Sequence, residues 1–188
     1  MIGSLPEALD VGGTSFSIRT DYRVILNIFQ AFNDPELSDK EKCYVCLKCL
    51  YVNFEQISAE NLQEAVEKAY WFCDGGDRIK SSKPTQKLID WKQDERIIFA
   101  AVNKIAGTEV RAVKHMHWWT FLGYFFEIGE GTLSTVVGIR HKRMQGKKLE
   151  KGEQEFYKQN KEMINIITAK EQAEIDETKA FLKEMIGE

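Results

Sequence analysis

Along the first twenty positions apolar and polar residues alternate. Ala8-Leu9-Asp10-Val11 and Ser15-Phe16-Ser17-Ile18 both carry the two-residue period of a half-buried strand. Gly12-Gly13-Thr14 between them supplies the positive φ of a tight hairpin. A lone two-stranded hairpin is marginal in water, so this one must pack on the helices downstream. From Thr20 the period turns helical. Tyr22, Ile25, Leu26, Phe29 and Phe32 share one stripe, Thr20 or Asp21 is its N-cap, and Asn33-Asp34-Pro35 ends it. Ser38-Asp39-Lys40-Glu41 is a capping box opening a second helix through Cys43, Cys46, Leu47 and Leu50 to about Tyr51. Ser58 caps a third helix carrying Leu62, Ala65, Val66, Ala69 and Phe72.

Residues 74–84 break the pattern with Gly, Ser and Pro and predict an internal linker. Leu88, Trp91, Ile98, Val102 and Ile105 then form a fourth stripe ending at Gly107. A fifth, aromatic helix is expected over about Ala112 to Ile128, broken by Gly129-Glu130-Gly131. A short sixth is expected at Leu133, Val136, Val137 and Ile139. From Glu153 the chain reads as one or two charged amphipathic helices, with Thr168-Ala169-Lys170-Glu171 as a restart. The fold class expected is mainly α, a bundle of about six to eight helices with a small N-terminal β-hairpin at about residues 8–18. Residues 1–151 form the expected helical core domain, and residues 152–188 a charged C-terminal helical arm.

Composition narrows the classes. The chain has 188 residues, 43% of them hydrophobic and 29% charged, enough for a packed core. A formal net charge of −3 argues against a surface built wholly for nucleic acid. The first residues show neither the basic nor the apolar part of a secretory signal. The longest apolar stretch, Trp118 to Ile128, is short of the roughly 20 residues that span a bilayer. Four cysteines in such a chain read as free thiols in a reducing compartment. A cytoplasmic protein with no membrane partner is expected.

Candidate chemistry is sparse. Cys43-x-x-Cys46-x-x-Cys49 has iron–sulfur spacing, but the cysteine and proline that should come next are Asn53 and Phe54. On a helix Cys43 and Cys49 stand roughly 240° apart, so small buried hydrophobes explain the thiols better. His115 and His117, placed on the same expected helix, diverge by roughly 200° and read as structural groups beside the Trp pair. Asp94-Glu95 reads as a solvated acidic pair. No nucleophile elbow, phosphate loop or zinc-protease motif occurs, so neither an enzyme nor a cofactor is expected.

Two segments stand out. Residues 140–151 hold six Lys or Arg against one Glu, whereas residues 153–188 hold five Lys or Arg against nine Asp or Glu. The basic block, with Arg140, Lys142, Arg143, Lys147 and Lys148, is a candidate for self-association through charge, within the chain or between subunits. Salt-dependent nucleic acid binding is its weaker rival, since no aromatic residues interleave. The second segment is His117-Trp118-Trp119-Thr120-Phe121-Leu122-Gly123-Tyr124-Phe125-Phe126. Such a helix is expected at the centre of the core. Trp118, Trp119, Phe121, Tyr124 and Phe126 are also the candidate partner-binding residues, if one flank stays open as an aromatic groove.

The order of these segments resembles a known family. The hairpin, Thr20-Asp21-Tyr22-Arg23, Leu37 to Lys42, Asp90 to Ala101, His117-Trp118-Trp119-Thr120-Phe121 and Ile139-Arg140 with its Lys-rich sequel are similar to the bacteriophage gene-product-fifteen family of siphophages and prophages of Gram-positive bacteria. Asp90 to Ala101 and the His-Trp-Trp-x-Phe string are the most specific parts, and the likeness runs from about Leu9 to Met163. Members are encoded between the major tail protein and the tape measure protein. The resemblance therefore implies a tail assembly chaperone that coats the tape measure protein, self-associates, and leaves the mature virion. Other tail proteins are further candidate partners. A structural tail-completion or connector protein is the alternative, and a small nucleic-acid-binding regulator a remoter one. The resemblance carries over no catalytic residue.

Overall fold

The computed structural model describes residues 3–76, 88–167 and 169–186. The described chain is mainly helical and begins with an antiparallel hairpin of β1 (Ala8–Val11) and β2 (Thr14–Ser17), in which Leu9 pairs with Phe16. Gly12 and Gly13, at φ 56° and 75°, form the two-residue turn that matches strand twist. The hairpin does pack: Leu9 and Val11 are buried, and the Gly12 amide donates to Glu64 at 2.8 Å.

Three helices come next, α1 (Tyr22–Asn33), α2 (Asp39–Leu50) and α3 (Leu62–Cys73). Asp21 caps α1 by accepting from the Arg23 amide, and the Ser38–Glu41 box opens α2 as its sequence requires. Ser58 makes no cap bond; a 3₁₀ turn, Ala59–Asn61, separates it from α3. Asp74–Gly76 turns the chain after α3, and the rest of the expected linker up to residue 84 lies outside the described residues.

After residue 88 the elements are α4 (Glu95–Ala106), α5 (Trp118–Phe126), α6 (Thr132–Met144), α7 (Lys151–Gln159), α8 (Lys161–Ile164) and α9 (Ala169–Ile186). Two of these start later than periodicity suggested. Leu88 and Trp91 precede α4, because the Asp90 carboxylate accepts the Lys92 and Gln93 amides and folds the chain into turns. Residues before α5 run extended beside the start of α1, with Tyr22 N donating to Met116 O and Trp118 N to Thr20 O. Here a pairing with distant backbone outcompetes local helix. His115 and His117 are consequently not on a helix, and the geometry that set them 200° apart does not apply. Gly107, at φ 67°, ends α4 as expected.

One large core gathers the hairpin, α1–α5 and the start of α6. A second, small cluster of Val136, Ile139 and Ile164 joins α6 to α8, with Phe156, Tyr157 and Met163 packed around it. Residues 152–164, expected as the beginning of the arm, are thus docked on α4 and α6. Thr168, the expected cap of α9, lies outside the described residues.

Candidate partner-binding surface

The aromatic helix α5 divides into an inner and an outer half. Trp118 is 1% exposed, and Phe121 is sealed completely. Phe121 stacks on Tyr22 at 4.5 Å between centroids and on Trp118 at 5.8 Å, and Phe99 leans against it at 5.8 Å. Both belong to the core; as partner-binding residues they are withdrawn, since no partner reaches a ring enclosed on every side.

Trp119 has a different task. Its indole N–H donates to Phe72 O at 2.9 Å, while that of Trp118 donates to Cys73 O at 2.9 Å. The two adjacent indoles thus donate to carbonyls at the C-terminal end of α3, Phe72 O accepting from the Gly75 amide as well. Gly76, at φ 91°, lets the chain pass over the Trp119 ring; a Cβ there would stand 2.9 Å from a ring carbon. Half-buried Trp119 is therefore a fastener between α3 and α5.

His117 completes the local frame as the N-cap of α5. Its Nδ1 accepts from the Trp119 amide at 3.1 Å, and its Nε2 lies 3.0 Å from the Pro6 carbonyl, an acceptor only. The Nε2–H tautomer satisfies both contacts. The structural role expected beside the Trp pair is the one this histidine has.

The outward-facing part is the end of α5. Phe126 is 70% exposed, Tyr124 and Phe125 are half-buried, and Trp91 lies 5.0 Å from Phe125 between ring centroids. Phe126 touches Phe125 at 6.2 Å, so the rings form a ledge from the core outward. Exposure of one large ring, next to rings held by the core, makes a surface that loses water readily on binding.

The basic block is largely occupied within the chain. α6 continues to Met144, so Arg140, His141, Lys142 and Arg143 are helical rather than looped. Arg140 is buried. It holds Asp94 with two bonds of 2.6 and 2.8 Å and donates to Leu88 O, Met163 O and Ile164 O. Asp94, expected in solvent, is 2% exposed and also accepts the Asp90 amide. The sequence carried no signal for this pair, because an Arg in a basic run and an Asp in an acidic pair both look solvated. Lys142 binds Glu153 at 2.7 Å and Glu150 at 3.5 Å. Arg143 reaches Asn165 and lies over the Tyr157 ring. Of the five, Lys147 and Lys148 are the ones exposed with no ion pair among the described residues and no side-chain partner there. Charge pairing between the basic block and the acidic segment after it is real, and it is intramolecular for Lys142.

The cysteines are free. Cys46 and Cys73 are buried, Cys43 and Cys49 half-buried. A hydrogen bond with Cys46, together with burial, pushes the Cys73 thiol well above its ordinary range, which makes it a poor nucleophile. Among the described residues no three His, Cys, Asp or Glu side chains converge as a metal site, and no helix is long and apolar enough to cross a membrane.

The sequence matches the family described as Bacteriophage Gp15 protein over residues 1–166. The chain belongs to that family. The Gp15 match ends two residues beyond α8, so it takes in the hairpin, both clusters and the Arg140–Asp94 pair, while α9 lies past it. Neither a curated protein nor a solved structure matches the chain.

Proposed function

We propose that this Gp15-family phage protein is a non-enzymatic tail morphogenesis factor. It holds the tape measure protein in solution, in the host cytoplasm, until the tail tube polymerises around it. The observation that carries the reading is the ring ledge at the end of α5, with Phe126 exposed and Phe125 and Trp91 behind it. A long helical client with apolar patches needs shallow apolar contact repeated many times, not one deep pocket. Weak sites repeated along a fibre gain strength through effective concentration. The family's place beside tape measure genes, implied by the resemblance, supplies the client.

Co-expression with the tape measure protein encoded by the same phage tests this. The wild-type chain should keep the client soluble and co-purify with it. Phe126→Ser, which removes an exposed ring and leaves the core untouched, should fold normally and lose most of that capture. An insoluble client beside wild-type protein would sink the proposal. Purified virions should lack the chain; finding it there in fixed copy number would favour the structural tail-completion reading instead.

A further inference from the structure

Every α9 side chain whose burial is described is exposed. Among them Ile175, Leu182 and Met185 lie within about 80° of one another around the helix, with Phe181 at the edge of that face and Glu174 at its N-terminal end. Helices in proteins owe most of their stability to packing, so an apolar face left in water calls for a cover. Elsewhere, the N-terminal end of α4 and the α7–α8 corner enclose an open groove of about 640 Å³. Ile97 and Met163 supply its apolar surface, and Arg96, Lys158 and Lys161 bring three cations with no ion pair among the described residues, against one carboxylate, Glu162. A helix face mixing apolar side chains with carboxylates is its complement.

We propose that α9 of one copy seats in the α4/α7–α8 groove of the next. α9 does not fill its own groove, since every α9 side chain whose burial is described is exposed. The Ile167 amide is tied to Gln93 Oε1 at 2.9 Å, and Gln93 itself lines the groove. An unbroken α9 starting at Ala169 therefore begins at the groove's rim and carries Phe181 to Met185 about 18 to 24 Å along its axis. A second copy supplies the missing helix. The proposed contact runs head-to-tail from copy to copy and leaves a free arm at one end and a free groove at the other; two copies that exchanged arms would instead close as a dimer of fixed mass, which contradicts the proposal. Such a chain of copies forms with or without a client, so it stands apart from the tape measure reading.

Two full-length variants test it by light scattering after gel filtration. Leu182→Asp/Met185→Asp spoils the arm, and Arg96→Glu/Lys161→Glu spoils the groove; all four positions are exposed, and circular dichroism checks folding. Wild-type chain should form multimers whose mass grows with concentration and falls with salt. Each variant alone should stay at the mass of one chain, and an equal mixture should form pairs and nothing larger, because only one arm and one groove match. Adding Glu174→Arg to the groove variant should restore part of its self-association. A monomeric wild type, a mixture that fails to pair, or a groove variant that associates like wild type through α9 against α9 would each overturn the proposal.

Discussion

Around Phe121 the interior is made of rings, with Tyr22, Trp118, Phe99 and Trp91 in contact and two indole N–H groups closing the end of α3. Around Arg140 it is made of one guanidinium, which holds Asp94 and three carbonyls beside an apolar cluster of three buried residues. Rings bury large areas and lose stability by degrees when trimmed. A buried charge is different. With its partner it is nearly neutral in cost, and without it the survivor is stranded in a poor solvent. The ring region should therefore yield gradually and the guanidinium region abruptly.

Arg140→Ala should give the largest effect, a loss of about 3–5 kcal/mol in urea unfolding, because it strands Asp94. Adding Asp94→Asn to that variant should recover part of the loss. With no recovery, the carbonyl bonds rather than the ion pair carry the joint, and the contrast between the regions weakens. Phe121→Leu should cost less, about 2 kcal/mol, by removing the stacks on Tyr22 and Trp118. A loss as large as that of Arg140→Ala would show that the ring region is brittle too. Trp119→Phe keeps a ring in place and deletes the bond to Phe72 O, for about 1 kcal/mol. Amide exchange should then rise at the end of α3 and stay unchanged in α7 and α8.

The smallest effect concerns an ion pair at the surface. Glu109 caps the 3₁₀ turn Val110–Ala112, and the Arg111 side chain, the Arg111 amide and Asn103 hold its carboxyl at about 2, below the ordinary 4.5. A carboxyl depressed in the folded chain adds stability above its unfolded value, and that stability fades as pH falls from about 4.5 toward 2. Wild type should therefore lose a slight advantage over Glu109→Gln across that window, seen as converging melting temperatures. Parallel curves would show that the solvated pair contributes nothing, as many do.

The same contrast explains which parts of the fold could be read from the residues. The hairpin, the Asp21 and Ser38 caps, the end of α4 at Gly107 and the burial of Trp118 obey local rules of turn, cap and stripe. The late start of α5 does not, since it depends on backbone pairing of residues 116–118 with Thr20 to Tyr22, about ninety-five positions away. Arg140 and Asp94 were illegible for a related reason. Forty-six positions separate them, and each sits among residues that are solvated. Of the five aromatic candidates, helical spacing puts Phe121 and Trp118 on the core stripe, where the structure has them. It could not reveal that Trp119 faces the end of α3 or that Phe126 points outward, because the first depends on where α3 ends and the second on what packs around the end of α5.

If the exposed rings hold the client, binding should leave its mark there. Hydrogen exchange of the full chain, free and in complex with the tape measure protein, measures this directly. Exchange should slow at the C-terminal end of α5, residues 124–128, with the already protected amides of α1 unchanged. A complex that forms while those amides exchange as in the free protein would contradict the role given to the ledge.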